Sequence, residues 1–272
     1  MIKPYFSVII PALNEEKFLP HLLDSLAVQS SKNFEVIVVD GKSKDKTVTI
    51  AGTYKSRLPS LEVVVADKPS IPLQRNLGAR HAKGEWLVFI DSDSILLPYC
   101  IDRFQQYISN HKSRLFTTWA SPDSENPKDS VYTLFANVYV ETTTIFKRPV
   151  TPGPMTAVHR SAYEAVGGYD ETHKFHEDVD FGLRLFKAGI KMTIIPESLY
   201  IWSLRRFRKQ GTLKVLNQYA LSVWPMIFNR PLKYMPGYDM GGQIYGKKRP
   251  MKRSVLVTYE RKLQQLMKEF FS

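Results

Sequence analysis

Short apolar segments alternate with helical segments through the first 95 residues, and this alternation most constrains the fold. Residues 6–10 and 86–90 are short, apolar and rich in β-branched or aromatic side chains, and residues 34–39 form a continuous apolar run typical of a strand buried on both faces. Leucines recur at helical spacing between residues 19 and 26. Strand–helix–strand units connect by right-handed crossovers, so the sequence predicts an α/β fold: a Rossmann-like, mostly parallel sheet flanked by helices.

Helix and strand boundaries follow from local signals. Asn14 and the two acids after it predict the start of the first helix, and Pro72 suits the first turn of the third. Beyond residue 95 the alternation loosens, and after Pro196 we expect aromatic and basic helices without strands. The sequence predicts helices at 99–108, 131–146 and 177–187 and strands at 155–159 and 191–195.

The charge of the chain is unevenly distributed. The net charge is +12, and residues 200–272 hold 15 Lys and Arg against 3 Asp and Glu, whereas residues 1–199 hold 23 of each class. The basic clusters lie at 205–209, 247–249 and 252–253. Such asymmetry indicates an anionic partner, which could be phospholipid, a phosphate-bearing acceptor or nucleic acid. A solvated basic face is the alternative.

Several features bear on the compartment. No apolar run approaches the roughly 20 residues that span a bilayer. The N-terminus runs directly into a strand-like segment without the apolar region of a secretory signal, which predicts a cytoplasmic protein. Cys100 is the only cysteine, so the chain has no intramolecular disulfide.

Polar residues follow three of the predicted strands. The carboxyl ends of parallel strands meet in the crevice where such sheets bind ligands. Asp91 and Asp93, spaced by one residue just after a strand, offer the oxygen ligands that Mg²⁺ and Mn²⁺ prefer, and no glycine-rich phosphate loop follows the first strand. The alternative for this pair is a polar turn, and the chain has a second such pair at Asp178 and Asp180. The strand-end residues are Pro11, Ala12, Asn14 and Glu15, then Asp40, then Asp91, Ser92 and Asp93.

Four motifs in order resemble the family 2 glycosyltransferases with the GT-A fold. They occupy residues 7–16, 38–47, 75–93 and 176–185, and the resemblance covers about residues 5 to 196. It implies an inverting transferase that moves a sugar from a UDP- or GDP-sugar to an acceptor hydroxyl, such as that of a glycan or a polyprenyl-phosphate-linked chain. It also implies a catalytic domain over 1–199, with a nucleotide-sugar half at 1–95 and an acceptor half at 96–199, followed by a basic helical extension at 200–272.

The resemblance also implies roles for individual residues. Asp93 would be the direct ligand of Mn²⁺ or Mg²⁺, with Asp91 beside the ribose and the metal, and Asp178 would be the catalytic base. At Gly41 many relatives carry a second acid that contacts uracil, so this position departs from the family. The donor side would comprise Pro11, Ala12, Asn14, Glu15, Asp40, Arg75 and Ser92, and the acceptor side Gly153, His176 and Glu177.

Purely structural roles are the alternatives for these residues, and two other protein classes are the alternatives for the whole chain. Acids in the first turn of a helix are favoured by its dipole, so Asp178 could be a capping residue, and Asp180 could pair with Arg184. Arg75 could lie on a helix surface. A sugar nucleotidyltransferase would share the fold but normally has a glycine-rich loop after the first strand. A nucleic-acid-binding module would display aromatic residues on its sheet, so we expect no nucleic-acid partner. The basic tail with its aromatic residues is suited to an anionic membrane surface.

Overall fold

The computed structural model describes residues 3–147, 149–211, 215, 217–218 and 232–235. One eight-stranded sheet, in the order β3-β2-β1-β4-β7-β6-β8-β5, is flanked by helices on both faces. The strands are β1 (Phe6–Ala12), β2 (Phe34–Asp40), β3 (Leu61–Val65), β4 (Trp86–Ile90), β5 (Ile95–Leu96), β6 (Leu115–Pro122), β7 (Met155–His159) and β8 (Thr193–Trp202). The helices are α1 (Leu19–Ala27), α2 (Thr47–Thr53), α3 (Ile71–His81), α4 (Cys100–Asn110), α5 (Pro127–Ile145), α6 (Arg160–Ala165), α7 (Glu177–Lys187) and α8 (Arg205–Gln210).

The first half of the sheet is parallel, as the sequence predicts. β1 lies between β2 and β4 and pairs in parallel with both, while β3 extends the sheet from β2. In the β1–β2 register Ala12 lies opposite Asp40, so the loops after these strands leave the sheet side by side. The expected alternation of strands and helices is therefore confirmed, and it brings the strand ends to one edge.

The second half of the sheet is mixed. β7 runs antiparallel to β4 and to β6, and β8 pairs in parallel with β6 and antiparallel with β5. The expectation that no strand follows Pro196 is wrong, because β8 continues to Trp202. Pairing with β6 shifts after Ile195 and resumes at Ser198, so Pro196 falls in an irregular stretch. A proline is tolerated there because its missing N–H removes no regular ladder bond.

The first helix begins later than the sequence predicts. Its first residue is Leu19, with Phe18 at the cap and no acid in the first turn. Asn14 instead takes a left-handed conformation, with φ of 54°, in the loop after β1. Its side chain accepts a hydrogen bond from the Lys44 backbone N–H, so the residue orders the loop rather than the helix.

Two hydrophobic clusters cover the two faces of the sheet. One joins α1 and α4 to the sheet and includes the ring contacts of Phe104 and Trp86 with Phe116. The other joins α3 and α7 to the opposite face, where Phe181 stacks on Tyr169 at 4.2 Å between ring centroids. These clusters fix α3 and α7 relative to the strand ends. None of the helices in the described ranges is long and apolar enough to cross a membrane.

Helix α3 packs against β1 through Gly78. A Cβ added at Gly78 would lie 2.4 Å from Ile9 Cγ2 and 3.1 Å from Val39 Cγ2. We expect Gly78→Ala to lower the free energy of unfolding by about 1–3 kcal/mol through overpacking. Gly52→Ala is the matched control, since nothing lies within 4 Å of its added Cβ, and it should raise stability by about 0.5–1 kcal/mol. Urea unfolding followed by circular dichroism measures both, and equal effects would contradict the close contact.

Candidate active site

The loops that follow β1 and β2 are tied together by hydrogen bonds. The backbone N–H of Asn14 donates to Ser43 Oγ at 2.8 Å, and that of Glu15 donates to Thr47 Oγ1 at 2.8 Å. The Asn14 side chain accepts in turn from Lys44 N at 2.8 Å. The predicted donor-side residues of these loops therefore form one rigid rim.

Asp40 presents a free carboxylate oxygen within this rim. Its Oδ2 accepts from Ser43 N at 2.9 Å, while the buried Oδ1 has no hydrogen-bond partner among the described residues. A buried acceptor without a partner is costly. Asp40 Oδ1 is therefore suited to an N–H donor on a ligand.

Gln74 explains the departure at Gly41. The Gln74 side chain, from α3, donates to the backbone oxygens of Ala12 at 2.9 Å and Val39 at 2.7 Å. A Cβ at Gly41 would meet Gln74 Oε1 at 3.0 Å. An acidic side chain at position 41 would have to displace Gln74. Sequence reasoning missed this residue, because a glutamine on a helix carries no signal of such a role.

Arg75 lies at the centre of a second cluster. Its side chain is 2% exposed and lies 3.3 Å from both Asp91 Oδ1 and Glu177 Oε1. Its Nη2 also donates to Gly153 O at 3.0 Å, and its guanidinium lies over the Tyr169 ring. Arg75 is thus a buried residue that joins α3 to the end of β4 and the start of α7, and it does not lie on a helix surface.

Gly153 lies among the charged groups of this cluster. A Cβ added there would be 3.5 Å from Arg75 Nη2, 3.8 Å from Asp91 Oδ2 and 3.9 Å from Asp178 Oδ2. The structure therefore brings Arg75, Asp91, Gly153 and Asp178 together around one point. It does so although they come from four separate segments of the chain.

Asp178 has a perturbed acidity. Burial and, after it, the neighbouring Glu177 carboxylate raise the pKa of Asp178 to about 7, while Arg75 acts in the opposite direction. The expected Asp180–Arg184 ion pair is present at 2.7 Å. Asp180 therefore stabilises the helix, whereas Asp178 faces the Arg75 cluster. A carboxylate that titrates near neutrality is suited to accept a proton from a substrate.

Arg205 joins two of the predicted donor-side segments. It lies at the start of α8 and contacts Glu15 Oε2 at 2.7 Å, Glu15 Oε1 at 2.5 Å and Asp93 Oδ2 at 2.6 Å. Its guanidinium also lies 4.3 Å from the centre of the Phe18 ring. Sequence reasoning placed Arg205 with the basic extension. Nothing local to residue 205 indicates a contact with a loop 190 residues earlier.

The remaining predicted residues lie near these clusters. Pro11 is in β1, and Ser92 is buried between the two aspartates. His176 caps α7 in a left-handed conformation, with φ of 57°, and its Nδ1 accepts from the Leu232 backbone N–H at 3.2 Å. Burial and nearby His173 lower the pKa of His176 to about 4, so the imidazole is neutral at physiological pH.

Two groups of side chains could hold a metal ion. Asp91 and Asp93 supply hard oxygen ligands of the type that Mn²⁺ and Mg²⁺ prefer. Burial and, to a smaller extent, the neighbouring Asp91 carboxylate raise the pKa of Asp93, while Arg205 lowers it. Within the part of the chain that the structure describes, the donor type of this pair fits such a cation, and Asp93 Oδ2 contacts Arg205. Among the described residues a group of three, Asp170, His173 and Asp180, also lies close enough to share one ion.

Comparison with known proteins identifies the family. The profile described as "Glycosyl transferase family 2" matches residues 7–167. The chain belongs to glycosyl transferase family 2. The resemblance noted in the sequence is thereby confirmed, and so is the prediction of a transferase of this family.

The chain spans only part of the length of the curated relatives that it matches. An uncharacterized glycosyltransferase of Haemophilus influenzae is 29% identical over 66% of this chain and 62% of the relative. The Staphylococcus aureus enzyme named poly(ribitol-phosphate) beta-N-acetylglucosaminyltransferase TarS is 27% identical over 74% of this chain and 36% of the relative. A PGL/p-HBAD biosynthesis glycosyltransferase of Mycobacterium bovis is 28% identical, with coverage of 71% and 74%.

Solved structures confirm the GT-A fold. Residues 1–349 of S. aureus TarS in complex with UDP-GlcNAc align with a TM-score of 0.61 at 23% identity, covering 73% of this chain and 58% of that one. A mannosyltransferase from Pyrobaculum calidifontis in complex with GDP-Man and Mn²⁺ aligns with a TM-score of 0.63 at 20% identity, covering 82% and 65%. At this identity the likeness concerns the fold.

The raised pKa of Asp178 predicts a pH dependence of stability. Because the folded-state pKa of about 7 exceeds the unfolded value of about 4, the folded protein binds the extra proton between these limits. This contribution is fully present below about pH 4 and is lost as the pH rises through 7. Asp178 therefore makes the wild-type protein more stable at pH 5 than at pH 8. We expect Asp178→Asn to remove this contribution, so the urea midpoints at pH 5 and pH 8 should differ by less than in wild type. An unchanged difference would show that Asp178 titrates normally.

Proposed function

We propose that the chain is an inverting glycosyltransferase that moves a sugar from a nucleotide-sugar donor to an acceptor hydroxyl. The observation that carries this proposal is the meeting of Arg75, Asp91 and Asp178 around Gly153 at the carboxyl ends of the strands. On one side of this cluster lies Asp178, a base with a raised pKa. On the other side lie the acids of the proposed donor side, including Asp93. Family membership supports the same reaction class.

The donor would bind across the rim formed by the loops after β1 and β2. Asp40 Oδ1 is a buried acceptor without a protein partner, and both uracil and guanine carry a ring N–H that could donate to it. Neighbours of the fold contain UDP-GlcNAc and GDP-Man, which supports a UDP- or GDP-sugar donor. Gly41 and Gln74 leave no acid beside Asp40 to contact the base.

A divalent cation, Mn²⁺ or Mg²⁺, would be held by Asp93 with Asp91 beside it. A cation held there would supply positive charge to neutralise the departing diphosphate. The neighbour with GDP-Man and Mn²⁺ supports this proposal at the level of the fold.

The reaction would use Asp178 as the base. Its carboxylate takes the proton of the acceptor hydroxyl as that oxygen attacks the anomeric carbon, and the bond between the carbon and the diphosphate oxygen breaks. Attack from the side opposite the leaving group inverts the anomeric configuration. Arg75 holds Asp91 and Glu177 in place throughout, while Gly153 keeps the space beside Asp178 free of a side chain.

Asp178→Asn should remove transfer while leaving donor affinity nearly unchanged, because the base acts on the acceptor. We expect kcat to fall about 100-fold or more. Calorimetric titration with UDP- and GDP-sugars measures binding, and release of nucleoside diphosphate in the presence of acceptor measures turnover. Asp24→Asn, which removes a half-exposed carboxylate paired with Arg57 on the surface, is the control for loss of one acid. Turnover within a few fold of wild type would exclude Asp178 as the base.

The acceptor side borders an exposed apolar surface on α5. Most of the exposed large hydrophobic side chains in the described part of the chain belong to this helix and its end. Partial burial and then the Asp178 carboxylate raise the pKa of Tyr139 to about 12, so this tyrosine is within electrostatic range of the proposed base. We call this surface the α5 stripe; it comprises Val131, Leu134, Phe135, Val138, Tyr139, Ile145 and Phe146.

Basic residues lie beside the α5 stripe. Helix α8 packs against the start of α5, where Phe207 stacks on Tyr132 and Arg208 pairs with Asp129. An apolar helical face next to Arg and Lys is suited to an anionic lipid surface. We therefore propose a lipid-linked acceptor, such as a polyprenyl-phosphate-linked glycan, reached at a membrane surface. The basic clusters at 247–249 and 252–253, which led to the same hypothesis, lie outside the described residues. The domain division at residue 199 stays a prediction.

Binding to vesicles tests this surface. Replacing Leu134 and Phe135 by serine should weaken binding to phosphatidylglycerol vesicles by about tenfold or more. Burial of each of these apolar side chains in the lipid would contribute ~1–2 kcal/mol to the binding free energy. The matched control replaces Val28 and Val65, which are equally exposed elsewhere, and should bind like wild type. Co-sedimentation at low and high salt measures both. Equal binding by the two double variants would exclude the α5 stripe, and no binding by wild type at low salt would favour a soluble acceptor.

A further inference from the structure

Arg205 uses every nitrogen of its guanidinium group on acids of the donor side. Nη1 and Nη2 contact the two oxygens of Glu15, and Nε contacts Asp93 Oδ2 at 2.6 Å. The three side chains are between 3% and 15% exposed. The arginine therefore links the end of β1 to the aspartate that follows β4.

These two acids need a positive charge nearby. An ionised carboxylate removed from water is strongly destabilising unless it is paired and hydrogen-bonded. Arg205 contacts both acids and supplies that positive charge. In the donor-free protein Arg205 supplies the charge that a divalent cation would otherwise supply.

We propose that Arg205 is the resident counter-ion of Asp93, and that Arg205 and a divalent cation exclude each other at this carboxylate. The inference rests on the proposed function in taking Asp93 as the cation ligand. A cation and a guanidinium nitrogen cannot both occupy the position beside Asp93 Oδ2, and their charges repel strongly in a buried site. Asp91 Oδ1 is engaged in the same way, since it lies 3.3 Å from Arg75 Nη2.

The donor diphosphate resolves this conflict. It brings negative charge that compensates for a cation added to two arginines, so we expect the cation to bind with the nucleotide and only weakly without it. An arginine displaced from Asp93 is a favourable partner for the phosphate oxygens of the same donor.

Helix α8 does not depend on Arg205 for its position. Arg208 pairs with Asp129 at 3.1 Å, and Phe207 is buried against Tyr132 and Trp202. The exchange therefore requires a side-chain rearrangement and no movement of the helix. For the same reason a substitution at Arg205 should leave α8 in place.

The test measures Mn²⁺ binding without nucleotide, by electron paramagnetic resonance of free Mn²⁺ in the full chain. We expect Arg205→Gln to bind Mn²⁺ at least about tenfold more tightly than wild type, because the competing charge is gone. Arg205→Lys, which keeps the charge, should stay near wild type. Lys209→Gln, which removes an exposed charge from α8, is the matched control and should stay near wild type, and Arg205→Gln with Asp93→Asn should lose the gain.

A second measurement adds UDP or GDP to the same titration. The nucleotide should increase the Mn²⁺ affinity of wild type more than that of Arg205→Gln. If Arg205→Gln fails to fold, judged by circular dichroism, Glu15→Gln replaces it. Without the competing charge of Glu15, Arg205 should pair more strongly with Asp93, and nucleotide-free Mn²⁺ binding should weaken.

The inference is overturned if folded Arg205→Gln binds Mn²⁺ no more tightly than wild type, which includes the absence of binding by either protein. It is also overturned if Glu15→Gln binds Mn²⁺ more tightly. Transfer that still depends on Asp178 in the same preparations would leave the proposed function standing, so the two failures are distinguishable.

Discussion

The buried guanidinium group of Arg75 is the interaction on which the site depends. A charge at 2% exposure must be matched by partners, and here the partners are Asp91, Glu177 and the backbone oxygen of Gly153. They come from the end of β4, the turn before β7 and the start of α7. Because each is held by the same cation, the three segments keep a fixed geometry around Asp178. The acidity of Asp178 then follows from its burial beside Glu177.

The donor side repeats this arrangement with a second arginine. Arg205 joins Glu15 and Asp93 as Arg75 joins Asp91 and Glu177. The acids of the cleft nevertheless exceed these two arginines in number, since Asp178 and Asp40 also face it. An excess of negative charge at the end of a parallel sheet is a poor site for a diphosphate alone. It is a suitable site for a diphosphate that arrives with a cation.

The sheet places these two clusters next to each other. Its parallel half delivers the loops after β1, β2 and β4 to one edge, and β7 continues the sheet from β4 in the opposite direction. The turn that contains Gly153 therefore enters the cleft beside Asp91, whose N–H bonds to the Pro154 oxygen. The proposed donor and acceptor sides thus share one continuous sheet, and the core clusters on its two faces stabilise both.

Local sequence patterns determined the elements and the chemistry of the strand ends. The boundaries of β4, β7 and α7 follow from apolar runs, from acids in a first helical turn and from a glycine after the last turn, all of which act over a few residues. The family motifs likewise identified Asp91, Asp93 and Asp178 as candidates.

Tertiary structure decided the rest. The continuation of β8 past Pro196 depends on an irregular pairing with β6, the role of Asn14 depends on the loop after β2, and Gln74 acquires its place from the backbone of two strands. The local sequence around Arg205 indicates only one more residue of a basic extension. Its contact with Asp93 and Glu15 exists only because the folded sheet brings α8 to the strand ends, where one guanidinium group pairs with two buried acids.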